Sequence, residues 1–362
     1  MTKKILSIIV PSYNMEAYLP KCLGSLIIDD KELLQKLDVI VVNDGSKDHT
    51  SEIAHNFETK YPGVFRVIDK ENGHYGSCIN VGLSLANGVY VKILDADDYV
   101  RTDLMVRFCQ VISDEVEKGD LGADLFISNY SSVDSEGNIL NVSDYPLDES
   151  HGYYTLDEYT EMEIRFALHS IVYRISILRA IGYHQSEGIN YTDNEWIIEP
   201  MSQVRKFIFF KSPITCYLVG RAGQSMEHST FAKNFQQIAN ITANLVEHYD
   251  YLSSKCVMTS KRYYYTQVSK MVKFVYLRWL TGWGRYKCKV DIDEFERRIK
   301  GNGVFYEDAE QLSACIGGYC YYCVRDWRKW HSVYTPRRIL YVFLFKLDNL
   351  RIHIKNIIKR II

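Results

Sequence analysis

Four short apolar runs mark the first hundred residues: "ILSIIV" (5–10), "LDVIVVND" (37–44), "VFRVID" (64–69) and "VYVKILD" (89–95). Between them lie stretches with apolar positions at helical spacing, 16–36, 48–60 and 76–86. The runs do not alternate apolar with polar residues, so such strands are covered on both faces, as in a parallel sheet between helical layers. The pattern predicts an α/β fold with a doubly wound sheet.

From Thr102 the pattern turns helical, with Thr102 or Asp103 as the N-cap, and "DLFISNY" (124–130) reads as a further strand. Residues 131–160 are polar and turn-rich, which fits loops or a hairpin over a cleft. A helix-like stretch ends in "LHSIVYRISILRA" (168–180), and "FIFFKSPITCYLVGRAGQSM" (207–226) reads as two short strands and a loop. Beyond Ser229 the chain changes to long helical patterns rich in Tyr, Lys and Arg. The expected division is an α/β domain over 1–228 and a mainly helical C-terminal extension over 229–362.

The last segment, 336–362, is amphipathic and basic. Leu347, Leu350, Ile354, Ile357, Ile358 and Ile361 share one helical face, Lys and Arg residues the other, and Asp348 is its only acid. A helix of this kind lies in a membrane interface or packs on its own domain; the apolar run "ILYVFLF" before it favours the membrane.

Composition narrows the function classes. With 362 residues, 47% hydrophobic and 24% charged, the chain can bury a sizeable core. Its net charge of −2 gives no reason to expect a nucleic-acid partner. The opening "MTKKILSIIVPSYN" has too short an apolar stretch for a secretion signal, and a spanning helix needs roughly 20 apolar residues. The expected location is the cytoplasm, peripheral on the inner face of the membrane. Nine irregularly spaced cysteines then read as reduced thiols.

Chemistry is concentrated behind the four runs, where "PSYN", "NDGSKDHT", "KENGHYGS" and "DADD" all fall on the carboxyl edge of the predicted sheet. Open α/β sheets bind ligands at that edge. Asp95, Asp97 and Asp98 crowd three carboxylates into four positions, which is costly unless a cation or hydrogen bonds offset the charge. A D-x-D at a strand end suits Mg²⁺ or Mn²⁺ with substrate phosphates; the alternative is a capped turn.

Four blocks, "SIIVPSYNMEAYLPKCLGSL", "DVIVVNDGSKDHT", "KENGHYGSCINVGLSLANGVYVKILDADDYV" and "YTDNEWIIEP", resemble, in that order, the family 2 glycosyltransferases of the GT-A fold. The resemblance implies a mixed sheet flanked by helices, with 1–100 as the nucleotide-binding half and 101–228 as the acceptor half. It implies transfer, with inversion, of a sugar from a nucleoside diphosphate donor, expected to be a UDP-sugar, to a hydroxyl of a glycan or lipid-linked acceptor. The setting would be cell-surface polysaccharide or lipid-linked glycan synthesis.

By the same resemblance Pro11, Tyr13, Asp44 and Asn72 would hold the donor, Asp95 its ribose, and Asp97 the Mn²⁺ or Mg²⁺ on the diphosphate. Asp193 would be the base, with Glu195 as second choice; Arg221, Gln224 and Ser225 would close on the phosphates, and His169 would line the acceptor side. Two departures stand out: Thr192 replaces an acid common before the base, and Ile79 replaces an Arg common before Asn80. Aspartyl-phosphate phosphatases and sugar nucleotidyltransferases fit less well, because Tyr99 and the glycine-free "PSYNMEAY" break their patterns. The alternative reading is a nucleotide-sugar-binding or membrane scaffold without turnover.

Overall fold

The structure, a computed structural model, describes residues 2–160, 164–221, 228–255, 258–281, 289–316, 319–330 and 343. The chain forms two compact units, one of 1–224 with 251–264, the other of 225–250 with 265–362.

The first unit is built on one sheet of ten strands: β1 (Leu6–Ser12), β2 (Leu37–Asn43), β3 (Phe65–Asp69), β4 (Tyr90–Ile93), β5 (Tyr99–Val100), β6 (Leu125–Val133), β7 (Ile139–Val142), β8 (Tyr153–Tyr154), β9 (Ile171–Arg174) and β10 (Phe207–Leu218). The order is β3-β2-β1-β4-β9-β6-β10-β5, with β7 beside β6 and β8 beside β10. The first four strands are parallel, as the unbroken apolar runs require, and every residue of β1, β2 and β4 is buried. Helices α1 (Leu19–Ser25), α2 (Lys31–Gln35), α3 (Thr50–Lys60), α4 (His74–Leu85), α5 (Thr102–Glu117), α6 (Leu156–Thr160), α7 (Ile175–Ile181) and α8 (Asp193–Ile198) complete the unit.

Three segments depart from the sequence expectation. Residues 16–36 form two helices, because the Asp30 side chain accepts from Leu33 N–H and starts α2 afresh. Within 168–180, Ile171–Arg174 is a strand, wedged antiparallel between β4 and β6; its pairing on both sides outweighs the helical spacing. The two strands expected in 207–226 are one, β10, whose register with β6 shifts between Phe210 and Thr215. Pro213 lies in that shift, where a missing N–H costs no ladder bond. The predicted cap of α5 also differs: the helix starts at Thr102, and its hydroxyl bonds Ser25 O instead.

The second unit is mainly helical. It holds α9 (His228–Lys233), most of α10 (Phe235–Lys255) and α11 (Met258–Thr281), then α12 (Ile292–Ile299), α13 (Gly303–Ala309) and α14 (Cys323–Trp330). An unexpected hairpin, β11 (Ser313–Ile316) with β12 (Tyr319–Tyr322), precedes α14. Arg328 anchors this unit, donating to Glu296 and Tyr276 and lying 3.5 Å from the Tyr306 ring centre. The segment 336–362 lies outside the described residues apart from position 343.

Candidate functional site

Strand direction decides what meets at one edge. β1, β2 and β4 end there, placing Pro11, Tyr13, Asp44 and the 95–98 turn together. β9 runs antiparallel to β4, so His169, two residues before it, starts at the edge where β4 stops. β6 is antiparallel to β9 and β10 parallel to β6, so β10 delivers Leu218 and then Arg221 to the same edge.

Four residues from these elements form the acidic floor. Asp98 is 1% exposed; its Oδ1 accepts from Leu218 N–H at 2.9 Å. Its Oδ2 stands 3.2 Å from His169 Nδ1, an ion-pair distance, and this buried oxygen has no other partner. Asp95 accepts from the Tyr75 hydroxyl at 2.8 Å, and burial, with Asp98 and Asp97 close by, pushes its pKa up to about 7. Burial also raises the Asp98 carboxyl, against the pull of His169. The His169 ring stacks on Tyr217 at 4.2 Å. Its backbone carbonyl accepts from Thr215 Oγ1 and from the buried Lys92 ammonium at 2.7 Å. Burial lowers the Lys92 pKa to about 8, with Asp98 and Asp95 opposing.

Ligand atoms of Asp95, Asp98 and His169 lie within 4.8 Å of one another, the one such group of three among the described residues. Two carboxylates and an imidazole fit a small divalent cation. The fit rests on the chemistry in place: a buried Asp98 oxygen lacks a hydrogen-bond donor, and Asp95 is crowded by two further carboxylates. Asp97, the expected ligand, is outside the group and pairs through Oδ2 with Arg221 Nε at 2.8 Å.

The other expected donor residues divide. Asp44 is buried, and its Oδ1 accepts from Lys70 Nζ at 2.7 Å and Gly73 N–H at 2.9 Å. Asn72 is exposed and donates to Asp44 O. Pro11 is buried within β1, whereas Tyr13 is 45% exposed just beyond it. Gln224 and Ser225 lie outside the described residues. Asn14, His74 and Tyr191, the described non-glycine residues with left-handed backbone, precede or open helices around the site. Such conformations cost about 1–3 kcal/mol each and gather at functional sites.

Asp193 opens α8, where its carboxyl is partly buried and its pKa is raised by desolvation, with Arg165 and His169 pulling it down. Burial and then Asp95, to which it is bonded, raise the Tyr75 hydroxyl, and the Asp193 charge adds to them. Glu195 is committed elsewhere: buried, it accepts from Ser186 N–H at 2.8 Å and Ser186 Oγ at 2.6 Å. Thr192, where an acid was expected, is buried and accepts from the Gln185 side chain at 2.8 Å. Sequence reasoning placed Asp98 in the carboxylate cluster and Tyr75 along the donor cleft without their partners, and gave Lys92 no role. A lysine inside the apolar run "VYVKILD" was the one available signal for the last of these.

Residues 7–119 match the family model described as Glycosyl transferase family 2. The uncharacterized glycosyltransferase EpsJ of Bacillus subtilis is 36% identical over 117 residues, 32% of each chain. The glycosyltransferase GlyG of Streptococcus pneumoniae is 35% identical over 137 residues, 37% of this chain and 42% of that one. These matched segments span about a third to two fifths of such relatives. The fold is similar to that of S. aureus TarS 1–349, solved in complex with UDP-GlcNAc, with a TM-score of 0.51, 17% identity, and coverage of 87% of this chain and 95% of that one. Motifs and family match agree that residues 7–119 form a family 2 glycosyltransferase domain, within a sheet of GT-A type.

Proposed function

We propose that the chain is an inverting glycosyltransferase. It moves a sugar from a UDP-sugar to an acceptor hydroxyl, in synthesis of a cell-surface polysaccharide or a lipid-linked glycan. One observation carries this reading: a single sheet edge gathers Asp44, Asp95, Asp97, Asp98, His169 and Arg221, and the Asp193 carboxyl is electrostatically felt there. The choice of UDP is supported by the UDP-GlcNAc held by the TarS fragment of similar fold.

Asp193 takes the proton of the acceptor hydroxyl on its carboxylate. The acceptor oxygen forms its bond to the anomeric carbon as the bond from that carbon to the phosphate oxygen breaks, and the electron pair leaves on the nucleoside diphosphate. Arg221 exchanges Asp97 for a phosphate oxygen, where its guanidinium donates two bonds at fixed geometry. Asp95, Asp98 and His169, with Asp97 beside them, would hold a Mn²⁺ or Mg²⁺ ion. Such an ion supplies Lewis-acid stabilisation of charge on the departing diphosphate.

Calorimetric titration of UDP and of GDP, with and without Mn²⁺, tests the donor assignment. The expected result is Mn²⁺-dependent binding of UDP that is lost in Asp97→Ala and in Asp98→Asn. Failure of every nucleotide to bind under either condition would leave the fold without this chemistry.

A further inference from the structure

The segment 183–192 that leads into α8 is held from α4 by a continuous set of hydrogen bonds. Asn80, on α4, grips the backbone of Gln185 at both ends: its Oδ1 accepts from Gln185 N–H and its Nδ2 donates to Gln185 O, each at 2.8 Å. The Gln185 side chain is fully buried; its Nε2 donates to Thr192 Oγ1 at 2.8 Å and its Oε1 accepts from the Tyr183 hydroxyl at 3.2 Å. On the next residue, both polar groups of Ser186 bond Glu195. Thr192 and Glu195 flank Asp193, so these bonds fix the first turn of α8 from both sides. The contact with α4 is close: a Cβ on Gly76 would lie 1.9 Å from Ser186 O. The same helix carries Tyr75, which bonds Asp95.

We infer that Gln185, clamped by Asn80, is a positioning residue for Asp193, and that α4 sets the spacing between the donor-side acid Asp95 and the base. The inference rests on the reading of Asp193 as base. A buried amide bonded at both ends is a rigid spacer, and a base displaced by about 1 Å can lose 10²-fold in rate. It also accounts for Thr192: a hydroxyl accepts the amide donor that the clamp supplies, where an acid would bring a further charge next to Asp193.

The test uses the full chain, UDP release from UDP-glucose, UDP-galactose, UDP-N-acetylglucosamine or UDP-glucuronate with water as acceptor, and UDP affinity by calorimetry. Gln185→Leu keeps the volume and removes both side-chain bonds; Thr192→Val cuts the same bond from the other side. Each should lower kcat 10- to 100-fold with donor KM and UDP Kd within twofold of native. The double variant should lose no more than the larger single, because one bond is shared. If Gln185→Leu does not fold, Thr192→Val alone decides. Folded variants with kcat within twofold of native, or with kcat and KM degraded together, overturn the inference. Asp193→Asn separates the two readings: native turnover in that variant, or no turnover of the native chain with any of these donors, overturns the base assignment and the inference with it. Loss in Asp193→Asn with native Gln185→Leu and Thr192→Val overturns the inference alone.

Discussion

Asp193 must be ionised to accept a proton, yet its surroundings favour the neutral acid, because burial outweighs the pull of Arg165 and His169. Turnover should therefore fall on acidification through a limb above the ordinary carboxylate value of about 3.9. Removing one of the two opposing charges gives the sign: Arg165→Gln should move that limb to higher pH, read from kcat profiles at saturating donor. Asp193→Asn should lower turnover about 10²- to 10⁴-fold, the usual contribution of a general base, while UDP still binds in calorimetry. On the floor, Asp95 titrates near 7 in the folded chain against about 3.9 unfolded. Between those values the folded state holds a proton that the unfolded state has released, so stability falls as pH rises across that window. Mn²⁺ bound as proposed would compete with that proton and offset the charge left after it leaves. The rise in melting temperature on adding Mn²⁺ should be larger at pH 8 than at pH 5.5, and Asp95→Asn should remove most of the difference. Asp44, Asp95, Asp97 and Asp193 stood out as candidates because carboxylates at strand ends and at a helix start are visible in one dimension. The partnership of Asp98 with His169 was not, since it depends on which way β9 runs.

Among the elements, α4 shows how far pattern alone reaches. Its apolar spacing announced a helix, and the block "GHYGSCIN" marked it as part of the site. That its first turn touches both the donor acid and the loop before α8 follows from packing, through Tyr75 on one side and Gly76 on the other. On an exposed helix Gly→Ala is stabilising by about 1 kcal/mol. At Gly76 the added methyl would meet Ser186 O at 1.9 Å, and backbone there cannot yield without moving the Gln185 clamp. Gly76→Ala should therefore lower stability by about 1–3 kcal/mol in urea titration, the ordinary cost of overpacking. At Gly82 the added methyl would meet three atoms of the fully buried, β-branched Ile9 at 2.5–2.9 Å, so Gly82→Ala should also be destabilising. The parallel strands were readable because burial on both faces leaves a one-dimensional trace. β9 left none: four residues between a helical turn and a helix, made a strand only by the two neighbours that flank it.

For the molecule as a whole, the distribution of charge bears on where the acceptor is met. The segment 336–362 holds seven Lys or Arg against one Asp, in a chain whose net charge is −2, so the remainder is acidic. Anionic lipid would repel that remainder and attract the segment, at about 1 kcal/mol per basic residue near the surface. Among the described residues no helix is long and apolar enough to cross a membrane. Membrane contact, as proposed for a lipid-linked acceptor, would then depend on the segment and on salt. The full chain should co-sediment with vesicles containing phosphatidylglycerol at 0.05 M salt, lose most binding as salt shortens the screening length, and ignore pure phosphatidylcholine. A chain lacking 336–362 should stay in the supernatant in every case, since the charge it keeps has the wrong sign. Unchanged sedimentation of the shortened chain would remove the tail from the argument and place the lipid contact, if any, on a surface whose net charge opposes it. UDP binding measured on the same preparation should be equal in both chains, because every candidate donor residue precedes the deleted segment.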